Sequence, residues 1–202
     1  MDSTMRLTLL AGLLLVSVRT VSAQSAPAFS ADVETTYRFQ NGRETNVGGR
    51  FYRSADGRIR EDSGSGSLIT DVRRRTITML NAELKQALVL QMPEPIPPPA
   101  GPKGTPPAFE RGMLDGRAVE KTRQALDGGA VQEVWFASDL GTVLYSLIEA
   151  PGLTTVRTLR NVSTDEPPAA VFEVPAEYAV TRRALPPEPQ GVPVTRAPKR
   201  TP

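Results

Sequence analysis

The sequence predicts a mainly β fold: a strongly curved antiparallel sheet with few short helices. Three observations lead there. Apolar side chains recur at every second position through most of the chain. Turn signals such as Asn41-Gly42, Asp56-Gly57, Asp115-Gly116 and Pro151-Gly152 separate these stretches. The interval from Ala28 to Ala179, about 150 residues with little helical period, holds one core and about nine to eleven strands, enough for a sheet to curl on itself.

Taken in order, the first element is a long half-buried strand, with Phe29, Ala31, Val33, Thr35, Tyr37 and Phe39 on one face and Ser30, Asp32, Glu34, Thr36 and Arg38 on the other. After the Asn41-Gly42 turn, residues 45–53 resume with Val47, Gly49 and Phe51 on one side, and Asp56-Gly57 leads into Arg58-Ile59-Arg60, which completes a meander. Beyond the flexible Ser63-Gly64-Ser65-Gly66-Ser67, residues 68–72 and 76–80 read as strands joined through Arg73-Arg74-Arg75. The run 86–92 holds Ala87, Leu88, Val89 and Leu90 consecutively, which fits a strand covered on both faces or a short helix. Residues 93–107 carry eight prolines and form a Pro-rich insertion, either an exposed linker or a flap on an extended polyproline path. Strands are then predicted at 117–123, 131–137, 142–149 and 154–161, with Val171-Phe172 and the ordered part ending near Pro175 to Val180. The single domain therefore spans 28–180, and the Pro-rich tail 185–202 is expected to be disordered.

The beginning of the chain supplies an address. Arg6 precedes an apolar run from Leu7 to Val16, and Val21-Ser22-Ala23 is a small-x-small cleavage pattern, so residues 1–23 read as a cleaved signal peptide. The run is too short for a permanent membrane span, and the mature protein is expected in the periplasm or secreted, soluble after cleavage.

Composition excludes several chemistries. The chain has no Cys, hence no disulfide and no lipobox cysteine, and no His, which removes the usual general base and the commonest metal ligand. No G-x-S-x-G, S-x-x-K or phosphate-loop pattern occurs. The chain therefore reads as a non-enzyme with no catalytic residue, metal or cofactor. The net charge of +2 falls to +1 once Asp2, Arg6 and Arg19 leave with the signal peptide, which argues against a nucleic-acid partner. The one basic cluster, Arg73-Arg74-Arg75, fits either a solvated turn or a contact with an anionic partner.

Several segments together carry a family pattern. Phe29-Ser-Ala-Asp-Val-Glu-Thr, the hairpin Phe51-Tyr-Arg-Ser-Ala-Asp-Gly-Arg, Ile77-Thr-Met-Leu-Asn, Glu133-Val-Trp-Phe-Ala-Ser-Asp-Leu and Val171-Phe-Glu-Val-Pro-Ala-Glu-Tyr resemble the exported bacterial lipoprotein-carrier-like superfamily. That superfamily includes the LolA and LolB carriers and the RseB sensor. The resemblance implies a half-barrel whose concave face holds acyl chains or a hydrophobic peptide. It makes the chain a binding module for a lipid, an acylated protein or another hydrophobic ligand, with an envelope protein-interaction or scaffold role as the alternative.

Four residues are candidate ligand contacts. Trp135, the only tryptophan, is either core or a ligand contact, and Tyr37, Phe51 and Met79 line the same face if their strands present it inward. Asp32 and Glu34 share a strand face and fit either a calcium or acid–base pair or an ordinary solvated surface. Asn161-Val162-Ser163 matches a glycosylation acceptor, a short pattern that arises readily by chance.

Overall fold

The computed structural model describes residues 27–64, 66–93 and 109–184. The predicted signal peptide, nearly all of the Pro-rich insertion and the tail from 185 lie outside these residues. Within them the period-two segments form β1 (Phe29–Phe39), β2 (Glu44–Arg53), β3 (Ile59–Ser63), β4 (Gly66–Asp71), β5 (Thr76–Asn81), β6 (Gln86–Gln91), β7 (Glu110–Leu114), β8 (Arg117–Ala125), β9 (Val131–Ala137), β10 (Thr142–Ala150), β11 (Leu153–Ser163) and β12 (Ala179–Ala184). They build one sheet in the order β12-β6-β5-β4-β3-β2-β1-β11-β10-β9-β8-β7, antiparallel throughout except for the β12–β6 pair. The sheet is open, with β7 and β12 as its two edges.

Two strands exceed the expected set, β7 and β12. The second extends the ordered chain past Val180 to Ala184. Val171-Phe172 lies in a 3-10 turn, Ala169–Phe172, rather than a strand. Pro167, Pro168 and Pro175 fix φ along this connection and deny it ladder donors, so it crosses the sheet instead of joining it. Phe172 is buried there, and Val174 and Tyr178 pack on Ile69, Leu80 and Ala87. Having crossed the outer face of β4–β6, the chain meets the free edge of β6 in the parallel sense. That cover settles the 86–92 run as a strand. Ala87 lies beneath the crossing segment, while Leu88 and Leu90 point to the other face.

Register defines the two faces. Ala31 pairs with Phe51, Phe51 with Glu61, Glu61 with Leu68, Leu68 with Met79 and Met79 with Leu88, so these six residues share one face. Glu61 of β3 on this face meets Arg157 of β11 at 2.7 Å. In a flat sheet their strands lie about 14 Å apart and their positions are offset by roughly a further 13 Å along the strands. Contact at that separation requires the sheet to bend toward this face, which is therefore concave.

The main core sits at one end of the concavity. Phe29, Ala31, Val33, Phe51, Val119, Ala137, Leu140, Leu144 and Leu159 form one buried cluster, against which Ile59 of β3, Leu114 of β7, Trp135 of β9 and Val162 of β11 also pack. Arg53 closes it. Its guanidinium donates to the carbonyls of Pro27, Leu140 and Gly141 and lies 4.7 Å from the Phe29 ring centroid.

Candidate functional site

Outside the core cluster the concave face changes character across β4, β5 and β6. Leu68 and Met79 are 43% and 47% exposed, and Ile77, Leu88 and Leu90 stand beside them on the same face, half-buried. The crossing segment covers the opposite face of these strands, so among the described residues nothing shields this apolar surface. A contiguous exposed apolar patch on a curved sheet is a binding feature, because burying it against water-excluding material is favourable by about 25 cal/mol per Å². The patch is bounded toward β1 by the Glu61–Arg157 pair, whose guanidinium also lies 5.7 Å from the Phe51 ring.

The four residues singled out by sequence fall in different places. Phe51 and Met79 lie in one cross-strand row, but Phe51 is only 8% exposed and stacks on Phe29 at 5.3 Å, so it belongs to the core end of that row. Met79 lies in the exposed patch. Tyr37 shares the face, yet it is six residues beyond Ala31 along β1, roughly 20 Å away. Trp135 stands apart from the patch: it packs against the core cluster, and its cross-strand row runs through Tyr145 and Thr158 to Glu34 rather than to Phe51. There its ring lies 4.6 Å from that of Tyr145, Lys121 Nζ is 4.1 Å from the ring centroid, and Nε1–H donates to Glu133 at 2.7 Å. Arg123 bridges Glu133 and Glu149 at 3.1 and 3.2 Å. Burial, reinforced by Glu133, raises the Tyr145 hydroxyl above its ordinary pKa.

The sequence reading passed over Leu68, Ile77, Leu88, Leu90 and the Glu61–Arg157 pair. Leu68-Ile69 and Ala87-Leu88-Val89-Leu90 are apolar on both sides of the strand, so alternation cannot separate the open face from the covered one. Knowing that Ile69, Leu80 and Ala87 are claimed by Val174 and Tyr178 resolves it.

A cavity of about 790 Å³ opens between the β7–β8 hairpin and β10–β11. Leu114, Val119, Leu144, Leu159 and Val162 contribute its apolar lining, and the Arg117–Asp139 ion pair stands at its wall. Asp32 and Glu34 lie on the outer face without a third acidic neighbour, and no metal-binding group of three or more candidate ligands occurs among the described residues. Asp32 instead accepts hydrogen bonds from Asn161 and Arg50, which lower its pKa. Asn161, first residue of the glycosylation-like triplet, is thus engaged as a donor at the β1–β11 bulge.

Compared with known proteins, the chain matches no family model and no curated protein. Among solved structures, an uncharacterized conserved protein from Thermus thermophilus superposes with a TM-score of 0.55 at 12% identity, over 78% of this chain and 91% of that one. The two chains share a fold. LolA superfamily protein NE2245 from Nitrosomonas europaea stands at a TM-score of 0.40 and 9% identity, covering 73% of this chain and 90% of that one. The Pseudomonas aeruginosa MucA/MucB complex stands at 0.45 and 17%, covering 81% of this chain and 63% of that one.

Proposed function

We propose that the protein is a non-catalytic binding module of the cell envelope whose concave face takes an acyl chain, presented by a lipid or an acylated protein. One observation carries the reading: Leu68 and Met79 stand exposed on the concave side of an open sheet, among Ile77, Leu88 and Leu90, while the crossing segment occupies the convex side of the same strands. An apolar trough a few strands wide fits a flexible hydrocarbon chain, which supplies its favourable burial without needing matched hydrogen-bond donors. The predicted signal peptide accords with an envelope site of action. Among the described residues no helix is long and apolar enough to cross a membrane.

The test is native mass spectrometry of the mature protein purified gently from its exported fraction. We expect a lipid-sized adduct that disappears on denaturation. Met79→Asp combined with Leu68→Asp should remove it while leaving the thermal transition within a few degrees, because both side chains are already half exposed. Trp135→Phe should keep the adduct. A wild-type protein that stays free of adduct after incubation with envelope lipids would overturn the reading and turn attention to a protein partner.

A further inference from the structure

The edge of the sheet nearest the apolar patch gathers positive charge from two distant parts of the sequence. Ala184, Gln91, Thr76 and Asp71 form one cross-strand row through β12, β6, β5 and β4. The β4–β5 turn, which carries Arg73, Arg74 and Arg75, projects just beyond that row. It is stitched to the end of β6 by Met92 N–H donating to the Arg75 carbonyl at 2.7 Å and by Gln91 Nε2 donating to the carbonyls of Arg74 and Arg75 at 3.3 and 3.0 Å. Arg182 and Arg183 stand near the end of the row's edge strand. Arg183 pairs with Leu90 and so flanks the apolar concave face, while Arg182 pairs with Val89 on the convex side.

Among the described residues little acidic charge answers this cluster. Asp71 lies 3.7 Å from Arg74, whose side chain is 83% exposed. Arg75 donates to the Met92 carbonyl. Arg73, Arg182 and Arg183 are exposed and enter no ion pair among the described residues. On the convex side of this corner, between Thr76, Val89, Gln91 and Arg182 with Arg183 at the sheet edge, lies a cavity of about 300 Å³, room for a phosphate group beside guanidinium and hydroxyl donors. Val72, 63% exposed at the tip of the same turn, adds an apolar contact at the level where the charges end.

From this placement we infer that the β4–β5 turn and β12 form a docking corner for an anionic phospholipid surface. Its guanidinium groups take headgroup phosphates and bring the apolar face to the membrane with Leu90 and Ile77 leading. The inference rests on the acyl-chain reading of the concave face and supplies its ligand class, an anionic lipid. Charge complementarity selects this occupant. A polybasic corner is attracted to the field of an anionic leaflet, and the adjoining patch suits the acyl chains that the same leaflet holds.

The experiment is co-flotation of the mature protein with vesicles of phosphatidylcholine alone and of phosphatidylcholine mixed with phosphatidylglycerol. We expect binding to the mixed vesicles only, weakening as salt rises. Arg73→Gln, Arg182→Gln and Arg183→Gln together should weaken it roughly a hundredfold. The same triple variant should still retain an uncharged monoacylglycerol by native mass spectrometry. Leu68→Asp with Met79→Asp should lose the monoacylglycerol yet keep at least part of the vesicle binding. Equal binding to both vesicle types, or an unaffected triple variant, would overturn the docking corner while leaving the acyl site standing. Release by inorganic phosphate beyond that caused by chloride at the same ionic strength would overturn it in favour of a free-phosphate site. Failure of the wild type to hold the monoacylglycerol would instead strike the acyl reading itself.

Discussion

Arg53 shows how one residue can close a curved sheet. It is 6% exposed, has no carboxylate partner among the described residues, and is held by the carbonyls of Pro27, Leu140 and Gly141 with the Phe29 ring beneath it. Desolvation lowers its pKa, yet guanidinium remains charged at any pH at which the protein folds. Removing it strands the carbonyl oxygens at the closed end of the core, and the loss of charge-assisted hydrogen bonds outweighs any gain from an apolar replacement. Arg53→Met is expected to cost about 3 kcal/mol in urea denaturation. Arg53→Lys should recover less than half of this, since an ammonium lacks the planar fork that reaches several carbonyls at once. A loss below about 1 kcal/mol would mean that water replaces the guanidinium. The sequence reading put Val47, Gly49 and Phe51 on one face of 45–53 and passed over Arg53, which shares it by period two. Its partners, 87 and 88 residues away at Leu140 and Gly141, left no local trace.

At the scale of elements, β2 depends on an asymmetry between neighbouring glycines. A Cβ on Gly49 would stand 1.8 Å from the Asp62 carbonyl oxygen, whereas one on Gly48 would meet nothing within 4 Å. Gly49 therefore lets β3 press against β2 on the concave side, two residues from the Phe51–Glu61 pairing whose glutamate meets Arg157. Gly49→Ala should destabilise by roughly 2–4 kcal/mol through the forced backbone shift, and Gly48→Ala by no more than about 0.5 kcal/mol, both read from denaturation midpoints. Similar penalties at the two positions would show that β3 yields easily. Strands with clean alternation, β1 and β2 above all, were legible from sequence because one face is buried and the other is wet. The edge strands were not: β12 reads AVTRRA with all six residues exposed, and β7 reads ERGML, where a glycine holds one of the two inward positions and Leu114 alone packs on the core, too little to show a period.

For the molecule as a whole, the sequence could state that the sheet curves but not which face is hollow. Trp135, the largest apolar side chain among the described strands, packs against the core cluster, and its cross-strand row through Tyr145, Thr158 and Glu34 bypasses the open patch. The open patch lies where apolar residues occur on both sides of the strands, so its identity depended on a crossing segment that begins some eighty residues later. The hollow is also spanned. The Glu61–Arg157 pair runs across it at 2.7 Å, with side chains 34% and 26% exposed, and shields Phe51 from the trough. At that exposure the pair is worth about 0–1 kcal/mol, so its role is to bound the apolar surface rather than to hold the fold. Arg157→Leu alone leaves Glu61 facing apolar neighbours and should destabilise more than the double change Glu61→Leu with Arg157→Leu, a coupling that a double-mutant cycle reads directly. The double variant should stay within about 1 kcal/mol of wild type and open the trough toward Phe51. If an acyl chain occupies the trough, one or two more methylenes then find apolar contact. The preferred chain length in a fatty-acid series should increase by that amount, with affinity for the longer chains rising roughly 4- to 15-fold. An unchanged length preference in a stable double variant would place the end of the chain short of the bridge, confining the ligand to β4, β5 and β6.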